Sequence, residues 1–349
     1  SADAEVEGTD FRPDAPDIVP GRTLHADADF YAYQCGYRWE EESLEQSIKA
    51  LKQTIQVARI MAGAEFIKLY LTMGDKGGRY ETARVKEYQA QRVARPEGLT
   101  ARVSELRQWM VDCVEPEVIS SPSYTQEADD ELTQAMHQAV VDGTEDLNPM
   151  WSMDKDLLMA PGIHMNPKTY ELEQFPNGFG GCTLDISTST KKVVGKGTSF
   201  FWHQLIMGDT ADNIPGLPTF SVEVCERLWP TKSLLAAEQR LRSAKTSKQA
   251  TLAKTALQRE RAKIKPKSCG AVRTFAYLSK CRTDLECFVA VRNAYLDHYG
   301  HGEFVHTSWD GEDKRLTAGD MLLEQANLLW MRRTVDDTAL KFIEEVVHT

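Results

Sequence analysis

The chain has 349 residues, of which 42% are hydrophobic and 27% charged, and its formal net charge is −11. These proportions are ordinary for a globular enzyme, and no run of 18 apolar residues occurs, which excludes a membrane span. The N-terminal region has no secretory pattern. The seven scattered cysteines lack a C-x-x-C pair, which favours reduced thiols over disulfides or zinc, so we expect a cytoplasmic protein.

The charge is unevenly distributed along the chain. Residues 231–267 contain eleven Lys or Arg against two acids, a local charge of +9, so the remainder carries about −20. The net charge alone disfavours a nucleic-acid partner. An acidic body with one basic block is nevertheless typical of a metal–carboxylate centre combined with a polyanion-binding element.

The N-terminal half alternates strand and helix patterns. Residues 1–22 carry six acids and two arginines and are predicted to be a disordered tail. Residues 23–26 and 66–73 read as strands that flank an amphipathic helix over 42–62, and a short third segment covers 150–153. This alternation predicts an α/β fold with a parallel, doubly wound sheet.

Each of these three segments is followed by an aspartate, namely Asp27, Asp75, and Asp154 with Asp156. Because ligands gather at the carboxyl ends of parallel strands, we expect the four side chains to converge on one edge of the sheet. Aspartate is also a common turn residue, which explains any one of them alone but less readily all four.

A basic segment follows Asp75. Arg84, Tyr88 and Arg92 fall at i, i+4 and i+8, which places them on one face if residues 79–92 are helical. Further basic residues nearby are Lys76, Arg79 and Lys86. Such a face suits phosphate contact and base stacking, although the pattern alone is more typical of a solvated helix.

A second acidic group contains Glu127, Asp129 and Asp130 among four acids in five residues. Ser123 and Gln126 fit a capping box, which would put these acids in the first turn of a helix. The helix dipole favours one or two acids there by ~0.3–1 kcal/mol each. Because four neighbouring acids repel one another, we expect a cation to neutralise them.

The stretch from Gly208 to Gly216 contains Asp209, Asp212 and a turn, between two amphipathic segments at 201–207 and 222–229. Helix, turn and helix can aim free backbone N–H groups at a phosphate. Acids beside a phosphate require a metal ion between them. An ordinary helical hairpin with solvated acids explains the stretch equally well. Residues 231–267, 271–299 and 317–347 are predicted to be helical.

Nine carboxylates are therefore candidate metal ligands: Asp27, Asp75, Glu127, Asp129, Asp130, Asp154, Asp156, Asp209 and Asp212. No histidine or cysteine joins them at ligand spacing, and an all-oxygen set selects Mg²⁺ or Mn²⁺ over zinc. So many carboxylates suit two ions ~3.5–4 Å apart, the arrangement used for in-line phosphodiester hydrolysis.

Six motifs in this order resemble those of the 5′-nuclease family, which includes bacteriophage 5′→3′ exonucleases, flap endonucleases and the nuclease domain of bacterial DNA polymerase I. The motifs, which span roughly residues 23–230, are Asp27-Ala-Asp-Phe-Tyr-Ala-Tyr, Gly74-Asp-Lys-Gly, Tyr88-x-x-x-Arg92, Glu127-Ala-Asp-Asp, Asp154-Lys-Asp-Leu-Leu and Gly208-Asp-x-x-Asp-Asn-Ile-Pro-Gly.

The resemblance implies a PIN-like α/β core over residues 23–200 with a helical arch at about 76–115. It also implies a helical DNA-binding region over 201–349, with a helix–three-turn–helix at about 201–230 and a basic helical insertion at 231–267. The nine carboxylates would hold two Mg²⁺ or Mn²⁺ ions or support those that do. K⁺ would bind at the helix–three-turn–helix, and Arg79, Arg92 and Lys86 would act on the scissile phosphate.

The expected partner is DNA with a free 5′ end, a nick or a 5′ flap. The residues expected to bind it are Lys76, Arg84, Tyr88, Gln89, Asn213, Ile214, Gly216, Lys245, Lys248 and Lys254. The resemblance thus implies a monomeric 5′→3′ exonuclease or flap endonuclease of phage replication or recombination, located in the host cytoplasm. Two alternatives stay open, an RNase-H-like nuclease on RNA–DNA hybrids and a non-catalytic DNA-binding relative.

The chain departs from the family pattern at two places. Gln89 stands where the family has a lysine that positions the scissile phosphate, and Lys86 or Arg84 is expected to replace it. Residues 219–223 read Thr-Phe-Ser-Val-Glu where the family has Gly-x-Gly-x-Lys. We expect the basic block at 231–267 to compensate for this second loss by contacting DNA.

Overall fold

The computed structural model describes residues 15–90 and 96–348. The strands in these residues are β1 (Val19–Asp27), β2 (Ala64–Thr72), β3 (Val118–Ser123), β4 (Met150–Trp151), β5 (Gly162–Met165), β6 (Leu172–Phe175), β7 (Gly181–Asp185), β8 (Lys192–Lys196), β9 (Thr219–Phe220), β10 (Lys267–Ser268), β11 (Phe304–Thr307) and β12 (Asp313–Leu316).

The helices are α1 (Ala28–Gly36), α2 (Leu44–Met61), α3 (Arg79–Thr82), α4 (Glu97–Val111), α5 (Ala128–Asp142), α6 (Thr198–Met207), α7 (Val222–Leu228), α8 (Lys232–Arg242), α9 (Ser247–Arg261), α10 (Ala271–Leu278), α11 (Asp284–Tyr299), α12 (Ala318–Leu329) and α13 (Ala339–His348). Short 3₁₀ helices cover Glu145–Leu147 and Asp156–Met159. No helix in the described ranges combines the length and apolar character that crossing a membrane requires.

Six strands form one sheet in the order β3-β2-β1-β4-β5-β6. The first five strands of that order run parallel to their neighbours, and only β6 is antiparallel. The predicted α/β class with a parallel sheet is therefore confirmed. The carboxyl ends of β1, β2, β3 and β4 all lie on one edge, where the chain turns toward α1, α3, α5 and the Asp156–Met159 turn.

Several segments of the sheet differ from the sequence prediction, among them β1, β3 and the unpredicted β5. β1 begins at Val19, so residues 19–22, assigned to the tail, belong to the sheet, while residues 1–14 lie outside the described residues. β3 was not predicted because Val118–Ser123 is rich in serine and contains Pro122. Proline is tolerated there since β3 is an edge strand of the sheet.

The predicted helix over residues 79–92 is wrong over most of its described length. Only Arg79–Thr82 is helical, and Gln89 has a positive φ of 58°. The backbone N–H groups of Arg84 and Val85 donate to the buried carboxylate of Glu324 instead of to helix carbonyls. Arg84 and Tyr88 consequently do not share a helix face, and Arg92 lies outside the described residues.

The C-terminal half packs around α6, which is buried nearly all round rather than amphipathic as predicted. α10, α11 and α12 cover this helix, and Phe201 and Trp202 lie in the largest apolar cluster. β9 and β10 pair antiparallel and therefore bracket α7, α8 and α9. The basic block thus forms the helices α8 and α9, as predicted. The antiparallel pair of β9 and β10 joins the two ends of the segment that contains them.

Candidate metal centre

An open cleft of about 890 Å³ lies at the carboxyl edge of the sheet. Seven carboxylates line it: Asp27, Asp29, Glu127, Asp129, Asp154, Asp156 and Asp212. They reach it from the end of β1, the start of α1, the start of α5, the segment after β4, and the turn after α6. The fold therefore brings together six of the nine predicted ligands from segments that are far apart in the sequence.

Hydrogen bonds fix the aspartates that follow β1 and β4. Ser152 Oγ donates to Asp27 Oδ2 at 3.0 Å, and it accepts from the Asp154 N–H at 2.9 Å. The Asp156 N–H donates to Asp154 Oδ1 at 2.9 Å and begins the 3₁₀ turn. Two neighbouring parallel strands are thus tied at their ends, so the three carboxylates keep their relative positions.

The carboxylates around Asp129 repel one another in a desolvated place. Burial, with repulsion from Asp29, raises the pKa of Asp27 to about 6. Burial likewise raises the pKa of Asp154 to about 6. The pKa of Asp129 lies well above its ordinary range because of burial and the charges of Asp27 and Asp154. Such crowding is costly for three anions unless a cation joins them.

A second group consists of Asp156, Asp209 and Asp212, each of which offers an oxygen within 4.8 Å of the others. Burial and the charge of Asp154 raise the pKa of Asp156 to about 7. The Lys155 ammonium lies 2.9 Å from Asp156 Oδ1 and 2.5 Å from Asp209 Oδ2. The ammonium of Lys155 therefore partly neutralises this group.

The turn after α6 aims Asp209 at this group. The N–H groups of Asp209 and Ile214 each donate to the carbonyl of the other at 2.8 Å, which closes the turn. At the base of this turn the backbones of Gly208 and Gly216 lie against each other, and their φ angles are positive, at 72° and 62°. A Cβ on Gly216 would lie 2.2 Å from the Gly208 nitrogen, so a side chain at Gly216 would push the two strands of the turn apart.

Asp212 is held by the segment that precedes residue 90. The Gln89 side chain donates to Asp212 Oδ1 at 2.9 Å, and Tyr88 donates to Oδ2 at 3.4 Å. Asn213 donates to the Glu87 carbonyl at 2.8 Å. Three residues predicted to contact DNA, Tyr88, Gln89 and Asn213, therefore dock this segment onto the turn.

Arg79 and Asp130 form a buried ion pair, which revises the predicted role of Arg79 and leaves Asp130 the supporting role of the two that were predicted. The Arg79 guanidinium contacts both Asp130 oxygens at 2.8 and 3.1 Å and Glu127 Oε2 at 2.9 Å. It also donates to the carbonyls of Leu328 and Trp330, and its exposure is 2%. Arg79 thus supports the floor of the cleft instead of facing a phosphate, and both oxygens of Asp130 are engaged by the guanidinium rather than presented to a metal.

Other predicted residues also lie elsewhere. Asp75 is exposed, does not line the cleft and accepts from the Lys76 N–H. Ile214 is buried, and the Gly216 N–H donates to Gln325 Oε1 at 3.1 Å rather than remaining available for a phosphate. α5 begins after Glu127 without the predicted capping box, because Ser123 Oγ donates to the Gln126 carbonyl.

Neither residue expected to replace the family lysine reaches the carboxylates. Arg84 pairs with Glu324 at 3.1 Å, and Lys86 is exposed outside the cleft lining. The cations that line the cleft beside the buried Arg79 are Lys76, Arg107 and Lys155. Lys245, Lys248 and Lys254 are exposed on α9 and the turn before it, apart from the cleft lining.

Sequence reasoning missed four residues of the site. Asp29 lies two residues after Asp27, and Lys155 lies between Asp154 and Asp156. This closeness to predicted ligands in the sequence could have indicated both residues. Ser152 and Arg107 gave none, because their importance depends on tertiary contacts. Arg107 reaches Asp29 Oδ1 at 3.0 Å from α4.

The donor set fits a hard divalent cation. Among the residues that line the cleft, the charged acceptors are all carboxylates, and histidine and cysteine are absent. Mg²⁺ and Mn²⁺ prefer such oxygen ligands, whereas zinc favours nitrogen and sulfur. Asp156, Asp209 and Asp212 have oxygens within 4.8 Å of one another, and Asp27, Asp129 and Asp154 form a second group that is linked by mutual repulsion.

Comparisons with family models and with curated proteins gave no match. Among solved structures, the chain is similar to a bacteriophage T5 protein co-crystallised with metal ions (TM-score 0.43, 14% identity, 79% of this chain and 99% of that chain). It is also similar to the phage's 5′-exonuclease with bound zinc (0.42, 16%, 78% and 98%). A third is its flap endonuclease in a pseudo-enzyme–product complex with DNA and metal ions (0.42, 14%, 79% and 99%).

Each of these three alignments covers 78–79% of this chain at 14–16% identity.

Proposed function

We propose that this chain is a divalent-metal-dependent 5′-nuclease that hydrolyses DNA phosphodiesters. The observation that carries the proposal is the set of carboxylates that the fold collects in one open cleft. Their burial and mutual repulsion raise the pKa values of Asp27, Asp129 and Asp154. Such crowding of carboxylates lowers the stability of a protein. The fact that this chain retains it therefore favours a cation-binding site.

Asp27, Asp129 and Asp154 would hold one ion, and Asp156, Asp209 and Asp212 a second. When bound, such ions lower the pKa of a water ligand and neutralise charge that develops on the phosphate. Ser152 and the Asp156 N–H orient Asp27 and Asp154, and Gln89 orients Asp212. Lys76 and Arg107 line the same cleft and supply positive charge for the phosphate of the substrate.

Duplex DNA beyond the cleft would contact the basic helices α8 and α9. Changing Lys245, Lys248, Lys254 and Arg242 to Gln should weaken binding and reduce the slope of log affinity against log salt by ~0.9 for each phosphate that the variant no longer touches. Neutralising Lys49, Lys52, Lys68 and Lys280 provides a control with the same change in net charge. An equal slope in both quadruple variants would show that the basic block does not contact DNA.

The test of the activity uses duplex, nicked and 5′-flap DNA, labelled at either end, and an RNA–DNA hybrid. Cleavage from the 5′ end is expected with Mg²⁺ or Mn²⁺ and not with chelator. Asp154→Asn combined with Asp156→Asn should abolish cleavage while DNA binding persists. Binding without cleavage by the unaltered protein would instead identify a non-catalytic DNA-binding relative, and preference for the hybrid would identify an RNase-H-like enzyme.

A further inference from the structure

Lys155 stands between the two carboxylates that would share a metal ion. Its ammonium contacts Asp156 Oδ1 at 2.9 Å and Asp209 Oδ2 at 2.5 Å. Asp156 Oδ1 also accepts from Gln204 at 2.6 Å, and Asp209 Oδ1 accepts from the Ala211 N–H at 2.8 Å. The protein thus positions the pair with hydrogen bonds of its own, and the ammonium bridges the two carboxylates where a shared cation would bind.

An ammonium and a divalent ion cannot use this position together. A divalent ion held by Asp156 and Asp209 would compete with the ammonium of Lys155 for the oxygens of these two carboxylates. Two cations held by the same pair of carboxylates would also repel each other strongly. Binding of a metal ion to Asp156, Asp209 and Asp212 consequently requires the lysine to leave.

We propose that Lys155 is an internal counter-ion that a divalent metal must displace at the Asp156–Asp209–Asp212 group. The inference rests on the proposed function, since it takes this group as a metal site. The Lys155 side chain is 49% exposed and lines the cleft, so it has room to swing away from the carboxylates. Within the described ranges, no lysine forms an ion pair with Asp27, Asp129 or Asp154, although Lys155 is close enough for its charge to act on Asp154. An ion at the group that Lys155 bridges is therefore expected to bind more weakly than one at the group around Asp129.

Lys76 offers a matched control, because it lines the same cleft with different partners. Its ammonium lies 3.7 Å from Glu127 Oε1, at the group that Arg79 already neutralises, and 2.6 Å from Gln89 Oε1. Gln89 in turn donates to Asp212, so Lys76 acts on the tested group through that side chain and not at Asp156 or Asp209. Replacing either lysine by methionine removes one positive charge from the cleft. Only the change at Lys155 removes the occupant of the Asp156–Asp209 position.

The test measures Mn²⁺ binding by electron paramagnetic resonance and calorimetry in the unaltered chain and in Lys155→Met, Lys155→Arg and Lys76→Met. Lys155→Met should tighten the weaker site about tenfold or more, as expected for removing a charge that shifts carboxylate equilibria by about 1–3 pKa units. Lys155→Arg should leave it weak, and Lys76→Met should change it less than Lys155→Met does. Unchanged or weaker binding in Lys155→Met, or equal tightening in Lys76→Met, would overturn the proposal.

A second measurement uses the unaltered protein, so it does not depend on how a variant folds. Acetylation of Lys155 by a soluble acylating reagent, followed by mass spectrometry, should become faster when Mg²⁺ is added, while exposed Lys52 reacts at a constant rate. Unchanged Lys155 acetylation despite full metal occupancy would also overturn the proposal. If no variant and no form of the chain binds Mn²⁺, the proposed function itself fails, which is a distinguishable result.

Discussion

Asp129 and Asp130 are neighbours at the start of α5, yet they enter opposite electrostatic environments. Asp130 is fully buried and receives two hydrogen bonds from Arg79 and one from the Arg332 N–H at 3.1 Å. Asp129 lines the cleft and faces the charges of Asp27 and Asp154. The first turn of α5 therefore contributes to two clusters. Asp130 belongs to a paired cluster with Arg79 and Glu127 behind the cleft, and Asp129 belongs to an anionic cluster with Asp27 and Asp154 within it.

Structural and functional charges in this molecule differ in whether their counter-charge belongs to the chain itself. A buried carboxylate with a guanidinium against it stabilises the fold only while both partners are present. Carboxylates that face each other destabilise the fold until a cation from solution binds between them. The same residue type in adjacent positions thus has opposite expected effects when its charge is removed.

The largest effect on stability is expected from breaking the paired cluster. Arg79→Met leaves Glu127 and Asp130 buried without their cation, so the free energy of unfolding should fall by about 3–5 kcal/mol. Urea denaturation followed by circular dichroism measures this. Arg107→Met is the control, because Arg107 is half-buried and pairs with one carboxylate, and its loss should cost about 1 kcal/mol or less. Equal losses would contradict the assignment of Arg79 to the fold.

The next effect concerns the anionic cluster. Asp129→Asn should reduce the rate of DNA cleavage about 10²–10³-fold, as is typical when one group that stabilises transition-state charge is lost. In chelator the same change should raise the free energy of unfolding, because a neutral amide at this position does not repel Asp27 and Asp154. Asp130→Asn should do the reverse, lowering stability by several kcal/mol. Loss of stability in both variants would remove the distinction between the two clusters.

Added metal should stabilise the protein through the cleft. At a Mg²⁺ concentration of about 100 times Kd, the free energy of unfolding should rise by ~2.7 kcal/mol, provided the unfolded chain does not bind the ion. Thermal unfolding with and without Mg²⁺, at constant ionic strength, measures the gain. Asp129→Asn should reduce it, whereas Arg107→Met should largely keep it. A gain that is the same in sodium chloride would indicate general screening.

A smaller effect on stability is expected from His164, a buried side chain that stays neutral in the folded protein. His164 stacks on Phe175 with ring centroids 3.8 Å apart, and burial lowers its pKa to about 4 from an ordinary value near 6.5. Well above pH 6.5 the ring is neutral in both states. As the pH falls from about 6.5 to about 4, only the unfolded chain takes up the proton, so stability falls in this window.

At about pH 5 the loss due to His164 should be about 2 kcal/mol, since one pKa unit corresponds to ~1.4 kcal/mol. His164→Gln keeps a donor for the Ala160 carbonyl and should remove this part of the pH dependence. Chemical denaturation between about pH 4 and pH 7 compares the two proteins. An unchanged slope in the variant would show that His164 is protonated in the folded state.

Local pattern was enough to predict part of the fold and of the site. The alternation of strands and helices, with aspartates after the strands, predicted the sheet and placed Asp27 and Asp154 on one edge. Positions whose contacts come from distant segments were not predictable. Arg79 follows Gly78 in a basic stretch and resembles a phosphate ligand, yet Asp130, Leu328 and Trp330 enclose it.

The failed helix over residues 79–92 has the same origin. Its spacing is helical, but Glu324 accepts the backbone N–H groups of Arg84 and Val85, and Trp309 donates to the Ala83 carbonyl at 2.9 Å. These partners lie in the C-terminal part of the chain, far from residues 79–92 in the sequence. Tertiary hydrogen bonds therefore override the local helical pattern, which no window of neighbouring residues can reveal.

The carbonyls that enclose Arg79 also bear on the order of events during synthesis. Leu328 and Trp330 follow Arg79 by 249 and 251 positions. A ribosome adding ~5–20 residues per second needs roughly 10–50 s to make that stretch. During this time the guanidinium lacks two of its acceptors, so the floor of the cleft is incomplete while most of the carboxylates already exist. The nascent chain is therefore expected to complete the cleft late, after the α12 segment has docked.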